Sequence, residues 1–178
     1  NEKENQVKDF FYLNSGRLVN NNFNIKIFSK NKKNKNKKLE DLKSSNKKII
    51  SIFNSSRNEF ECVEGWNDDV FYDDDESLIN QICQYFKKNM DFLFVLRVHP
   101  NLKFLKNTQN ENIKKLANNS NLIIIYPEEK LSSYELIRLS ETIITFGSTI
   151  GIESTYMGKK SILIGDSLYK RLNCTHTP

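Results

Sequence analysis

Five short apolar runs divide the chain from residue 48 onward, and each ends in small, hydroxylic or charged residues. Lys48–Phe53 leads into Asn54-Ser55-Ser56-Arg57, and Phe92–Leu96 into Arg97-Val98-His99-Pro100. Leu122–Tyr126 leads into Pro127. Thr142–Phe146 leads into Gly147-Ser148-Thr149, and Ser161–Ile164 into Gly165-Asp166-Ser167. The second run is apolar without alternation, as expected of a strand covered on both faces.

Helical spacing fills the gaps. Leu78, Ile79, Ile82, Cys83, Phe86 and Met90 predict a helix over residues 77–90, with the acidic run Asp73–Glu76 at its N-terminus, where the helix dipole favours negative charge. A polar helix is expected over about 110–117. Ser132-Ser133-Tyr134-Glu135 has the form of a capping box and opens a helix to about Leu139, and Ile150–Met157 is a helix stopped by Gly158. Strand–helix alternation of this kind predicts an α/β fold: a doubly wound, Rossmann-like parallel sheet with right-handed crossovers and strand order 3-2-1-4-5. In such sheets ligands bind beyond the carboxyl ends of the strands, at the point where the winding reverses. The chemistry-bearing residues therefore belong to one sheet edge.

Residues 1–47 read differently. Phe10–Leu13 and Phe23–Phe28 are short apolar pieces between Asn-rich stretches, followed by a segment rich in Lys. This is expected to be the tail of an upstream domain plus a linker, with residues 48–178 forming the binding domain of a longer protein. Residues 30–48 hold nine of the 27 basic residues against Glu40 and Asp41, and are expected to be exposed and poorly packed. The remaining 18 basic residues face 20 acidic ones, so the net charge of +5 belongs to that one segment. Two readings stand for it: a solvated loop, or peripheral contact with anionic lipid head groups at the inner membrane surface or with a polyanionic acceptor. No aromatic residue is interleaved with these Lys, and no nucleic-acid-binding motif is present. Three widely spaced Cys and two His do not suggest a metal site, and unpaired thiols without a signal-peptide pattern point to the cytoplasm.

Three constellations carry candidate chemistry. Gly147-Ser148-Thr149-Ile150-Gly151-Ile152-Glu153 is a strand end, a tight turn and a helix start. Its backbone amides and hydroxyls suit a phosphate, which Gly147 and Gly151 let the backbone approach closely, and a carboxylate one turn in suits the hydroxyls of a ribose. The alternative is an ordinary N-cap with a dipole-compensating Glu. Arg97 and His99, two residues apart at the end of a buried strand, share a side by period two and offer two donors to a diphosphate leaving group. Alternatively, Arg97 pairs with Glu59 or Asp91 and His99 caps a loop. Ser55 and Ser56 follow the first strand and would face Gly147-Ser148-Thr149 across the switch point; an Asx or Ser turn is the competing reading. The acidic pairs Asp68-Asp69 and Asp73-Asp74-Asp75 fit a helix start better than a metal site. His176 sits in a loop after the fifth run.

The passage from Ser132 through Ser140, Gly147-Ser148-Thr149, Gly151 and Glu153 to Gly158-Lys159 resembles the C-terminal half of bacterial surface-polysaccharide glycosyltransferases of the GT-B fold. The similarity is greatest to capsular polysaccharide biosynthesis proteins. Arg97-Val98-His99-Pro100 resembles the same group's basic-x-His-Pro motif. The sequence departs from that pattern at Glu141, Ser154 and Lys160. The resemblance implies that Gly147, Ser148 and Thr149 meet the donor's phosphates and that Glu153 holds its ribose. It implies that His99 and Arg97 stabilise the departing diphosphate, with Ser55 and Ser56 beside them. No cofactor or metal is implied, since the nucleotide-sugar is itself a substrate, and the acceptor would be a glycan or lipid-linked glycan. Two other functions compete: a nucleotide-sugar epimerase of the same fold, and a non-catalytic flavodoxin-like binding module.

Overall fold

The computed structural model of the 178-residue chain describes residues 2–6, 37–59, 63, 65 and 70–178. The apolar pieces Phe10–Leu13 and Phe23–Phe28, the first part of the Lys-rich segment, Cys62 and Asp68-Asp69 lie outside the described residues.

Five strands form one sheet: β1 (Lys48–Phe53), β2 (Phe92–Arg97), β3 (Leu122–Ile125), β4 (Thr142–Thr145) and β5 (Lys160–Leu163). The order is β3-β2-β1-β4-β5 and every pairing is parallel. This is the doubly wound α/β arrangement that the spacing predicted. The winding reverses between β1 and β4, so the loops after those two strands border the switch point.

Successive side chains of a strand point to opposite faces, and here both faces are buried. Ile52, Phe94, Leu96, Val98, Ile124, Ile144 and Phe146 share one core layer with Ile79 and Cys83 of helix α2 (Asp75–Tyr85) and Ile113 of α3 (Thr108–Lys115). Ile49, Phe53, Leu93, Val95, Ile125 and Ile143 form the other layer. Its cover comes from α1 (Lys37–Ser44), α4 (Ser133–Leu139) and α5 (Ile150–Tyr156).

Helix α1 departs from the sequence reading. Residues 37–44 belong to the segment expected to be exposed, yet Leu39 and Leu42 are buried in the second core layer. The Lys38 ammonium donates to the Ile124 carbonyl at 2.8 Å and to Glu129 Oε1 at 2.7 Å. Two Leu three residues apart suffice to seat a helix whose other positions are charged. High local charge therefore did not mean poor packing.

Helix ends also differ from the pattern. Asp74 is the N-cap of α2, its carboxylate accepting from the Ser77 amide at 2.7 Å, so the acidic run supplies the cap and first turn. The helix stops at Tyr85, and Met90, read as its last apolar position, lies beyond it and is exposed. Ser132 occupies the N-cap of α4 without a side-chain capping bond, so the expected capping box does not form. Gly158 follows α5 with φ of +76°, as a helix-terminating glycine should.

Candidate functional site

The loops after β1, β2 and β4 are tied together at the carboxyl edge. The Ser55 hydroxyl donates to the Phe146 carbonyl at 2.8 Å, which joins the β1 loop to the end of β4. Asn54 Oδ1 accepts from the His99 amide at 3.0 Å, joining the same loop to the end of β2. Gly147 sits beside Ser55 with φ of +115°. A Cβ there would lie 2.6 Å from the Asp166 carbonyl and 3.5 Å from Ser55 Oγ. The missing side chain thus makes room for the protein itself, namely the β5 loop on one side and the β1 loop on the other.

The β1 loop is also held from below by polar groups on α2 and α3. Gln109 Nε2 donates to the Ser55 carbonyl at 3.0 Å and to Glu76 Oε1 at 3.1 Å, and Gln109 Oε1 accepts from the Arg57 amide at 3.3 Å. The Arg57 guanidinium pairs with Glu76 and with Asp74, at 3.6 Å from the latter. Burial raises the Glu76 carboxyl above its usual range, opposed by Arg57 and by the Gln109 hydrogen bond. Burial and the Glu76 charge beside it push Asp75 up to about 7. The Tyr72 ring stacks edge-on against Phe146 at 5.5 Å between centroids. Its phenol is held protonated first by burial and then by Asp75.

On the β4 side, Ser148 Oγ accepts from the Ile150 amide at 3.3 Å, and the Ser148 carbonyl accepts from the Tyr169 hydroxyl at 2.6 Å. Thr149 is exposed at the turn and makes no capping bond. Tyr169, from the loop after β5, is buried and lies against Gly151, where a Cβ would overlap the phenol oxygen. Gly151 therefore accommodates Tyr169, in place of the phosphate expected there. Glu153 is buried in α5, and its Oε2 accepts from the Tyr134 hydroxyl of α4.

The site residues read from the sequence thus fall into three neighbourhoods. Ser55, Ser56, His99 and Gly147 are joined through Asn54 and Phe146. Ser148 and Thr149 form the turn pinned by Tyr169. Glu153 lies one helical turn further on, beside Tyr134. The Ser55 proton is committed to Phe146, and Ser55 and Ser56 are both buried, so they brace the loop more than they face a ligand.

Arg97 is engaged by backbone carbonyls of the protein itself. Its guanidinium donates to the Tyr126 carbonyl at 2.6 Å and to those of Ile125 and Glu129 at 3.4 Å, on the β3 side of β2. The neighbours of His99 lie on the β1 side. The Arg97 guanidinium thus braces the β3 loop, while the His99 imidazole has Glu59, beyond β1, 3.7 Å away. Burial lowers its pKa to about 10, resisted by Glu129 and Glu128.

His99 Nδ1 accepts from the Asn101 amide at 3.3 Å, with Glu59 Oε1 3.7 Å away. Burial depresses the imidazole below its ordinary range, opposed by Glu59 and aided by Arg97. It is neutral at pH 7, with Nδ1 as acceptor and its proton on Nε2. His176 is held by its backbone along β5: its amide donates to the Ser161 carbonyl and its carbonyl accepts from the Leu163 amide, each at 2.8 Å. Asp74 and Asp75 serve the start of α2, and no group of three or more His, Cys, Asp or Glu arranged for a metal occurs among the described residues. No helix among them is long and apolar enough to cross a membrane.

Asn54, Gln109, Tyr134 and Tyr169 were not read as functional. Asn54 stands directly after a strand and so carried a positional signal. The other three act across the fold, and nothing near them in the chain marks their partners.

No protein-family model and no curated protein sequence matches the chain. Solved structures do. A KpsC β-Kdo 2,7 transferase from Thermosulfurimonas dismutans is similar at a TM-score of 0.53 and 18% identity, over 79% of this chain and 43% of that one. A structure described as a UDP-N-acetylglucosamine 2-epimerase from Listeria monocytogenes is similar at 0.50 and 14% identity, over 70% of this chain and 29% of that one. This chain spans less than half the length of either. The likeness is one of fold: the chain has the Rossmann-like α/β arrangement found in these GT-B enzymes.

Proposed function

We propose that this chain is the nucleotide-sugar-binding part of a glycosyltransferase that builds a bacterial surface polysaccharide or lipid-linked glycan. The observation that carries the reading is the junction at the switch point, where the Ser55 hydroxyl locks the β1 loop onto the Phe146 carbonyl directly before Gly147-Ser148-Thr149. That junction builds a rigid rim where doubly wound sheets bind nucleotides, and residues 147–149 form a turn beside it that ends in the exposed Thr149. The fold similarity to a Kdo transferase supports the same reading.

In this reading Ser148 and Thr149 meet the donor's phosphates and Glu153 accepts from its ribose. His99 Nε2–H donates to the leaving diphosphate as a neutral group. Transfer breaks the bond from the anomeric carbon to the phosphate oxygen and forms a bond to an acceptor hydroxyl, whose proton leaves to a base. Contact of the Lys-rich segment with an anionic surface belongs to the same proposal. The reading places the protein on the cytoplasmic side, where nucleotide-sugars are made.

The test is a ligand screen by saturation-transfer NMR with UDP-, CDP-, GDP- and CMP-sugars against this chain. One class should bind, with resonances of both nucleoside and phosphate-proximal protons perturbed. Absence of binding at millimolar ligand would overturn the reading. A full-length protein that releases free nucleotide without any acceptor would support the epimerase instead.

A further inference from the structure

Tyr134 was assigned no role of its own in the sequence, yet it holds the one acidic residue assigned to the nucleotide. Glu153 is 6% exposed, and the Tyr134 hydroxyl donates to its Oε2. The two belong to different helices, α4 and α5, brought together only because both cover the same face of the sheet.

A buried carboxylate on a free side chain samples several rotamers, and a bond to a phenol fixed in a neighbouring helix selects one. The bond occupies one lone pair of Oε2, leaving Oε1 and the second lone pair of Oε2 as acceptors. Two acceptors about 2.2 Å apart suit the adjacent hydroxyls of a cis-diol and are poorly used by a ligand with a single hydroxyl. Burial, the Glu153 hydrogen bond and the Glu153 charge all raise the Tyr134 pKa above its ordinary value, so the phenol remains a donor at every physiological pH. Burial also makes the orientation matter, because an ill-placed acceptor there cannot be replaced by water.

We infer that Tyr134 is a positioning residue that aims the Glu153 carboxylate at the 2′- and 3′-hydroxyls of a ribonucleotide, and so sets the preference of this site for ribose over deoxyribose. The inference rests on the nucleotide-binding reading above and deepens it by naming what selects the sugar of the nucleotide.

The experiment measures the affinity of this chain for the ribonucleoside diphosphate of the class found in the screen and for its 2′-deoxy analogue, by isothermal titration calorimetry. The wild-type chain should prefer the ribonucleotide about tenfold, equivalent to about 1.4 kcal/mol. Tyr134→Phe should reduce that preference to less than about threefold, chiefly by weakening the ribonucleotide and leaving the deoxy ligand nearly unchanged. Glu153→Gln, with its bulk and most of its hydrogen bonding retained, should do the same. A Tyr134→Phe chain that keeps the tenfold preference overturns the inference and leaves the nucleotide-binding reading intact. Equal weakening of both ligands assigns Tyr134 a purely structural role and also overturns it. A wild-type chain that binds neither ligand refutes the underlying reading, and one that binds both equally removes ribose from the role of Glu153. A matched thermal melt for each variant confirms that the folded state is being compared.

Discussion

Replacing Gly151 by Ala tests whether the turn beside the candidate phosphate contact is built as described. In an exposed helix this change is stabilising, because Gly is about 1 kcal/mol less favourable than Ala. The structure predicts the opposite sign here. An added Cβ would overlap the Tyr169 hydroxyl and come within 2.9 Å of Thr145 Oγ1 and 3.0 Å of Tyr169 Cζ. The Tyr169 ring is buried, so it cannot swing into solvent without opening the β5 loop. Overpacking of this kind costs about 1–3 kcal/mol. Displacing the phenol also gives up its 2.6 Å bond to the Ser148 carbonyl, worth a further ~0.5–1.5 kcal/mol. Set against the helical gain, the net is a loss of about 1–3 kcal/mol, read as a lower urea midpoint at pH 7 with an unchanged slope. A double-mutant cycle sharpens the test. Tyr169→Phe removes the atom that clashes, so adding Gly151→Ala to it should cost at least ~1 kcal/mol less than in the wild-type background. A Gly151→Ala chain more stable than wild type, or strictly additive effects, would refute the packing argument.

Three other outcomes follow from particular contacts. Leu42→Ala should destabilise the chain by about 2–5 kcal/mol in the same urea assay, as for a buried core Leu, whereas a linker residue would cost almost nothing. Asp75 holds its proton up to about pH 7 in the folded state but loses it near the ordinary 3.8 of an aspartate when unfolded. The native state therefore binds more protons between those values, and this site's contribution to stability falls as pH rises through that window. Asp75→Asn should lessen the loss of stability between pH 5 and pH 8, and an undiminished loss would remove Asp75 as its source. In the full-length protein, His99→Ala should slow transfer roughly 3–10-fold, the scale of one neutral hydrogen bond, and wild-type kinetics would dismiss it from the site.

The strand runs, their order and the polar edge were written in the sequence, because hydrophobic period and turn chemistry are local properties. Continuous apolar runs such as Phe92–Leu96 fit strands covered on both faces, and the alternation of strands with helical stretches leaves few topologies for a parallel sheet. Arg97, His99 and Glu153 were visible as residue types in telling places, but their partners were not. Arg97 and His99 share a side by period two, yet the Arg97 guanidinium bonds the Tyr126 carbonyl after β3 while the His99 imidazole has Glu59, beyond β1, 3.7 Å away. That choice depends on which strand lies on either side of β2, and the residues along β2 do not encode it. Gly151 read as an opening for phosphate, while the space it leaves is taken by Tyr169, 18 positions later in the chain. Several residues of the motif that suggested a family act on the fold itself. Ser140 bonds Ser51 at 2.6 Å, and Lys159 donates to the carbonyls of Arg138, in the last turn of α4, and Ser140 just after it. The Lys-rich segment shows the same division of information. Its charge is legible at once, but whether Leu39 and Leu42 are buried depends on a vacant face of the sheet that the local sequence does not contain. Composition and period thus determined where polar groups gather. Only the tertiary structure decided which hydrogen bonds they spend on the protein, because those partners come from strands and helices distant in sequence that packing sets side by side.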